Sequence, residues 1–214
     1  MINRKLQITT IVLSAIMVSG CLTTILPEPV EANHVYRLSG DLTASSTVVS
    51  NQSENILTVR IDRPNAPKAL QGFDLVIAKE NSELAIVDKA EWADSLPTMI
   101  QRSFLSELNS RSDIIGILPT SGARSEYRAH ITVRNFEAIF DRGDEQAPLI
   151  VVDYLVTLSD AGSRKLIGTQ SFHSENRAVT NHVSDIVSAK SSSNRSNLER
   201  ISDWIVATLS NQGV

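Results

Sequence analysis

The chain has 214 residues, 42% hydrophobic and 5% aromatic, with 20 basic residues against 24 acidic ones and a single cysteine. That length suits one domain or two small ones, with a core large enough to need no covalent staple; one cysteine excludes an intramolecular disulfide and a cysteine-rich zinc site. The acidic balance and the scarcity of rings argue against a nucleic-acid binder, which needs a basic field for phosphate and aromatic faces for bases.

The amino terminus carries Arg4 and Lys5, then an uncharged apolar stretch, Ile8–Val18, then Ser19, Gly20 and Cys21. A basic start, an apolar segment and small residues at a junction form the pattern of a secretory signal. The junction Val18-Ser19-Gly20-Cys21 resembles the lipobox of bacterial lipoproteins, in which a diacylglycerol is attached to the thiol and the chain is cut before it. The expectation is a signal over 1–20, cleavage between Gly20 and Cys21, and lipidation of Cys21, whose acyl chains hold the protein to a membrane. A plain amino-terminal membrane helix is the alternative, diluted by Gln7, Thr9, Thr10, Ser14 and Ser19. Leu22 follows the cysteine where an Asp would retain a lipoprotein at the inner membrane of enteric-type bacteria, which favours the outer membrane, facing the periplasm. Residues 21–34, with Pro27 and Pro29 and no period, read as a tether, and 35–214 as one domain.

Leu57, Val59 and Ile61 alternate with Thr58, Arg60 and Asp62 and predict a half-buried strand, ended by Pro64 and Pro67. Phe73–Ala78 and Glu83–Val87, joined by Lys79-Glu80-Asn81-Ser82, predict a hairpin. A helix follows: Asp94 or Ser95 caps it, Pro97 lies in its first turn, and Leu96, Met99, Ile100, Phe104, Leu105 and Leu108 share a face. Ile114–Leu118 is the next strand. Tyr127–Phe140 is one long strand whose apolar parity changes from Tyr127, Ala129, Ile131 and Val133 to Phe136, Ala138 and Phe140, which requires a bulge near Asn135. Leu149–Leu158 and Lys165–Glu175 are the last strands.

Val183, Ile186, Val187, Leu198, Ile201, Trp204, Ile205 and Leu209 fit one helical stripe, interrupted by Ser191-Ser192-Ser193-Asn194. Stripe continuity predicts one long helix; the capping-box pattern Ser196 and Glu199 would instead start a second one. The fold class is therefore α/β (α+β): a single mixed, largely antiparallel sheet with two main amphipathic helices packed on it.

Catalytic patterns are wanting. The four histidines, His34, His130, His173 and His182, show no metal spacing. No nucleophile elbow, phosphate loop or dinucleotide fingerprint occurs. Asp141, Asp144 and Glu145 are either a weak cation site or a solvated loop, the reading that loop acids favour. The expectation is a protein with no cofactor, no metal and no catalytic residues.

The order of these pieces resembles a known family, the ABC-type transport auxiliary lipoproteins, which include the PqiC-like intermembrane transport lipoproteins. The resemblance rests on the lipobox ending at Cys21, on Tyr36-Arg37-Leu38, on Val59-Arg60-Ile61 before Pro64 and Pro67, and on Glu83-Leu84-Ala85 leading to Trp92-Ala93-Asp94-Ser95-Leu96-Pro97. Glu126-Tyr127-Arg128-Ala129, Asn135-Phe136-Glu137 and Ile201-Ser202-Asp203-Trp204-Ile205 complete it. It implies a non-catalytic, lipid-anchored partner of a periplasmic MCE-domain protein that works with an ABC permease and ATPase to move lipid or another hydrophobic solute between membranes. Self-association is compatible with the family. The terminal helix departs from the family's alanine-rich pattern, being rich in serine and asparagine.

Trp92, Asp94 and Pro97 are the candidate partner interface, because tryptophan is enriched at binding hot spots. The competing reading packs Trp92 over the start of its own helix and makes Asp94 a cap. Two other functions compete with transport: a structural or assembly lipoprotein of another outer-membrane complex, and a lipid-anchored hydrolase.

Overall fold

The computed structural model describes residues 32–39 and 56–211. The predicted signal over 1–20, the cleavage and lipidation positions Gly20 and Cys21, and nearly all of the tether lie outside these residues. Asn33–Val214 forms one unit.

The strands among the described residues are β1 (His34–Tyr36), β2 (Leu57–Ile61), β3 (Asp74–Lys79), β4 (Leu84–Trp92), β5 (Ile114–Ile117), β6 (Tyr127–Phe140), β7 (Leu149–Asp160) and β8 (Leu166–Arg177). The helices are α1 (Leu96–Asn109) and α2 (Val183–Ser210), with single 3₁₀ turns at Lys68–Leu70 and Pro119–Ser121. The sheet is mixed, as the patterning predicts. Its long ladders, β6 with β7 and β7 with β8, are antiparallel.

β6 organises the sheet. One edge pairs with β7 over nearly its whole length. The other edge is shared by two wings. Tyr127–Ala129 pair in parallel with β2, which carries β5. Ile139 and Phe140 pair in parallel with β3, which carries β4 and then the edge strand β1. Between the wings, the chain leaving β2 stays on β6 as far as Asn65, whose N–H donates to the Ile131 carbonyl and whose carbonyl accepts from the Val133 N–H. From there to Ile139 the sheet is forked.

The parity change along β6 is realised as expected. The register slips between Val133 and Asn135, so Ala129, Ile131 and Val133 before the slip and Phe136, Ala138 and Phe140 after it all point into the core. An inserted residue turns the later side chains over, and only so can both apolar sets face the helices.

α1 buries Leu96, Met99, Ile100, Phe104 and Leu108. It lies close on β5: a Cβ on Gly116 would stand 3.1 Å from Ile61 Cδ1 and 3.2 Å from Leu105 Cδ1. α2 crosses β6, β7 and β8 and touches α1, where Arg111 donates to Asp203. It is continuous through Ser191–Asn194, and Ser196 starts no second helix. Trp204 sits on the predicted stripe, edge-on to Phe172 with ring centroids 5.8 Å apart, over the bare backbone of Gly168.

β1 and the extension of β4 past Val87 are not foreshadowed by pattern. β1 starts at His34, a residue read as tether, and exists through its parallel pairing with Ala90–Trp92. β4 passes Val87 through a register shift against β3, with Lys89 in a left-handed conformation, φ 54°, before Glu91 pairs with Asp74.

Candidate interaction surfaces and a buried polar seam

Of the three residues expected at a partner surface, only Asp94 reaches solvent. Trp92 is 2% exposed and lies edge-to-face with Phe136, centroids 6.3 Å apart. Pro97 is buried in the first turn of α1. Trp92 thus lies in the core, against Phe136 of β6. Ser95, not Asp94, occupies the N-cap position. Its hydroxyl pairs with the Thr98 hydroxyl at 2.7 Å and accepts from Arg63 at 3.0 Å, rather than capping a backbone N–H. Asp94 accepts from the Ser95 N–H and faces Arg102 at 3.1 Å.

Around this corner the surface is apolar. The Trp92 N–H donates to the Phe73 carbonyl and the Ala93 N–H to the Tyr36 carbonyl, which sets Phe73 and Val35 beside it. Phe73 is 53% exposed and Val35 58%. On β4, Leu84 and Ile86 are also exposed and border an open cavity of about 270 Å³ shared with Lys68, Gly72, Asp74 and Val76. Among the described residues β1 is an edge strand, paired with β4 alone, and sheet edges are where further strands are recruited.

Of the acids singled out as a cation site, Asp141 is drawn to an arginine. Asp141 takes a two-pronged bond from Arg177, 2.9 and 2.8 Å, and this guanidinium holds its carboxyl below the usual range. Among the described residues no group of His, Cys, Asp and Glu side chains is placed to hold a metal. His173 faces Glu175 at 3.1 Å on the surface of β8. His130 joins Arg60 and Arg128 around Asp62, where ion pairing ties β2 to β6. No helix of the described residues is long and apolar enough to cross a membrane.

The feature that sequence reasoning missed lies under the middle of α2. Lys190, Ser191, Ser193, Asn194, Asn197 and Ser202 are all buried there. Buried polar groups persist where they find partners, and Lys190, Asn194, Asn197 and the Ser193 carbonyl bond to the sheet, while the Ser202 hydroxyl donates to the Leu198 carbonyl of its own helix. The Tyr154 hydroxyl donates to Asn194 Oδ1 at 2.7 Å. Asn197 donates to the Val152 carbonyl at 3.1 Å, and the Ser174 hydroxyl donates to the Ser193 carbonyl at 3.3 Å. Burial pushes the Tyr154 hydroxyl well above its ordinary pKa, so it serves as a neutral donor. Lys190 Nζ donates to the Val76 carbonyl at 2.9 Å and the Phe136 carbonyl at 3.1 Å. The signal was available. Lys190, Asn194, Asn197 and Ile201 follow Ile186 and Val187 in helical phase, so the polar run occupies core positions rather than breaking the stripe.

The family model described as ABC-type transport auxiliary lipoprotein component matches residues 36–202. The chain belongs to this family. The match takes in every strand from Tyr36 onward, α1, and α2 as far as Ser202. Solved structures share the fold of this auxiliary lipoprotein. A protein from Xanthomonas campestris, XCC0632, is 15% identical with a TM-score of 0.68, over 73% of this chain and 87% of that one. An uncharacterized protein is 16% identical with a TM-score of 0.62, over 82% of this chain and 99% of that one. No curated protein sequence matches the chain.

Proposed function

We propose that this auxiliary lipoprotein is anchored through acylated Cys21 to the outer membrane and docks, on the periplasmic side, to the MCE-domain protein of an ABC transport system. Its role is non-catalytic: the permease and ATPase supply the energy, and the chain supports passage of lipid or another hydrophobic solute between membranes. The observation that carries this reading is the family match over 36–202 behind a lipobox-like junction. The docking surface is the corner beside Trp92–Pro97, where Asp94, Val35 and Phe73 face solvent next to β1, the edge strand among the described residues. Large apolar side chains exposed together next to an edge strand suit recognition of another protein.

Isolation of the full-length chain from its native membranes should retrieve an MCE-domain protein with its permease and ATPase. Phe73→Asp should lower that recovery while leaving thermal unfolding unchanged. Recovery of an outer-membrane barrel protein in their place overturns the transport reading in favour of an assembly role. Mass spectrometry of the mature amino terminus should show an acylated Cys21, and Cys21→Ala should release the protein from membranes; an unmodified cysteine removes the anchor.

A further inference from the structure

Lys190 is 1% exposed, and among the described residues no carboxylate is hydrogen-bonded to it. Lysine is almost never fully buried without an ionic partner, because taking an ammonium out of water costs several kcal/mol, roughly, even after the protein relaxes. Its position in the sheet explains what it does there. Val76 belongs to β3 and Phe136 to β6, and these strands pair only from Ala78 and Ile139 onward. The two carbonyls that Nζ bridges therefore lie inside the fork, where β3 and β6 are not paired with each other. The side chain comes from α2 and closes the gap from above, with Nζ 5.5 Å from the centre of the Phe136 ring.

Both carbonyls can be satisfied by either protonation state. An ammonium has three N–H bonds and a neutral amine keeps two, one for each carbonyl. Loss of the proton removes the cost of a buried charge without removing either bond. We propose that Lys190 is a proton-sensitive pin across the fork: the middle of α2 and the β3 wing dock more tightly on β6 when it is neutral and loosen when it takes up a proton.

The surroundings agree. β6 brings Glu137, whose charge favours the proton, and this is outweighed by burial, which lowers the lysine from 10.5 to about 7. β3 brings only the Val76 carbonyl, β4 the uncharged Trp92 behind Phe136, and β7 the neutral Tyr154. β8 brings Ser174 and Asn176, and α2 itself Ser191, Ser193 and Asn194. Asn194 Nδ2, Asn176 Oδ1 and Ser193 Oγ have no partner among the described residues. A polar network left partly unsatisfied is a weak place in a core, which makes this stretch the one to open first.

The direction follows from linkage. An opened form with a solvated lysine holds its proton up to about 10.5, whereas the closed form releases it near 7. Opening therefore takes up a proton between those values. The opening equilibrium should fall by about tenfold per pH unit in that window and be flat below it.

The test uses the full chain. The Lys190 Cε resonance should titrate near neutrality, apart from the exposed lysines. Amide exchange, corrected for intrinsic rates, should show protection in α2 around Ile186–Ile201 and in β3 rising with pH by that factor, with β7 and β8 unchanged. Lys190→Met should abolish the pH dependence in α2 and β3. A Cε resonance that titrates with the surface lysines, or protection in the fork that ignores pH in the unsubstituted chain, overturns the proposal. The resonance needs no variant, so it decides the matter even if Lys190→Met fails to fold.

Discussion

The two helices lie against one sheet and are held to it by different chemistry. α1 presents Leu96, Met99, Ile100, Phe104 and Leu108, with Ser103 as its one buried hydroxyl within that face. The middle of α2 presents Lys190, Ser191, Ser193, Asn194 and Asn197. Apolar burial is strong and indifferent to direction. Hydrogen bonds across the α2 seam contribute less each, but they demand particular carbonyls and so determine where along the strands the helix stops. The apolar face supplies adhesion and the polar face supplies register.

The largest expected effect is on the apolar side. Phe104 is fully buried, and Phe104→Ala should cost about 3–5 kcal/mol, read as a lowered denaturation midpoint with unchanged slope. A loss below about 1 kcal/mol would mean that α1 contributes little adhesion and would erase the contrast. Tyr154→Phe tests the polar side. It leaves the ring in place and takes the donor from Asn194, so it should cost about 1–3 kcal/mol. Its particular mark should be faster amide exchange in the centre of α2 than in α1. Equal acceleration of both helices would show that the seam fixes no register.

The smallest effect belongs to the surface. Asp141 is held below its ordinary value of 3.8 by Arg177, so this pair stabilises the fold above that value and the contribution fades as pH falls through the lowered one. Asp141→Asn should lower neutral stability slightly and flatten the acid limb, so that the two stability curves converge at low pH. A large loss at neutral pH would promote the β8–loop contact from ornament to support.

Local pattern made β6 legible in detail, bulge included, because parity is a property of neighbouring residues. The inner face of α1 was equally plain. The fork was not, since the pairing of β6 with both β2 and β3 joins segments far apart in sequence and leaves no periodic trace. Trp92 illustrates the limit for the candidate surface. Its type suggested a contact, and only the ring of Phe136 beside it showed that the contact is internal. The serines and asparagines of α2 left a second reading open for a related reason. Their poor helix propensity is measured without a sheet to receive their hydrogen bonds.

The fork also decides how the molecule carries load. A pull on the segment preceding His34 first meets three residue pairs between β1 and β4. It then crosses β3 and reaches β6 through two ladder pairs, Ala78 with Ile139 and Lys79 with Phe140, and through the Lys190 bridge. The side chains of Leu75, Val76 and Trp92 nevertheless join the same apolar core as the antiparallel block of β6, β7 and β8, so the wing is tied to the block by little backbone and by much packing.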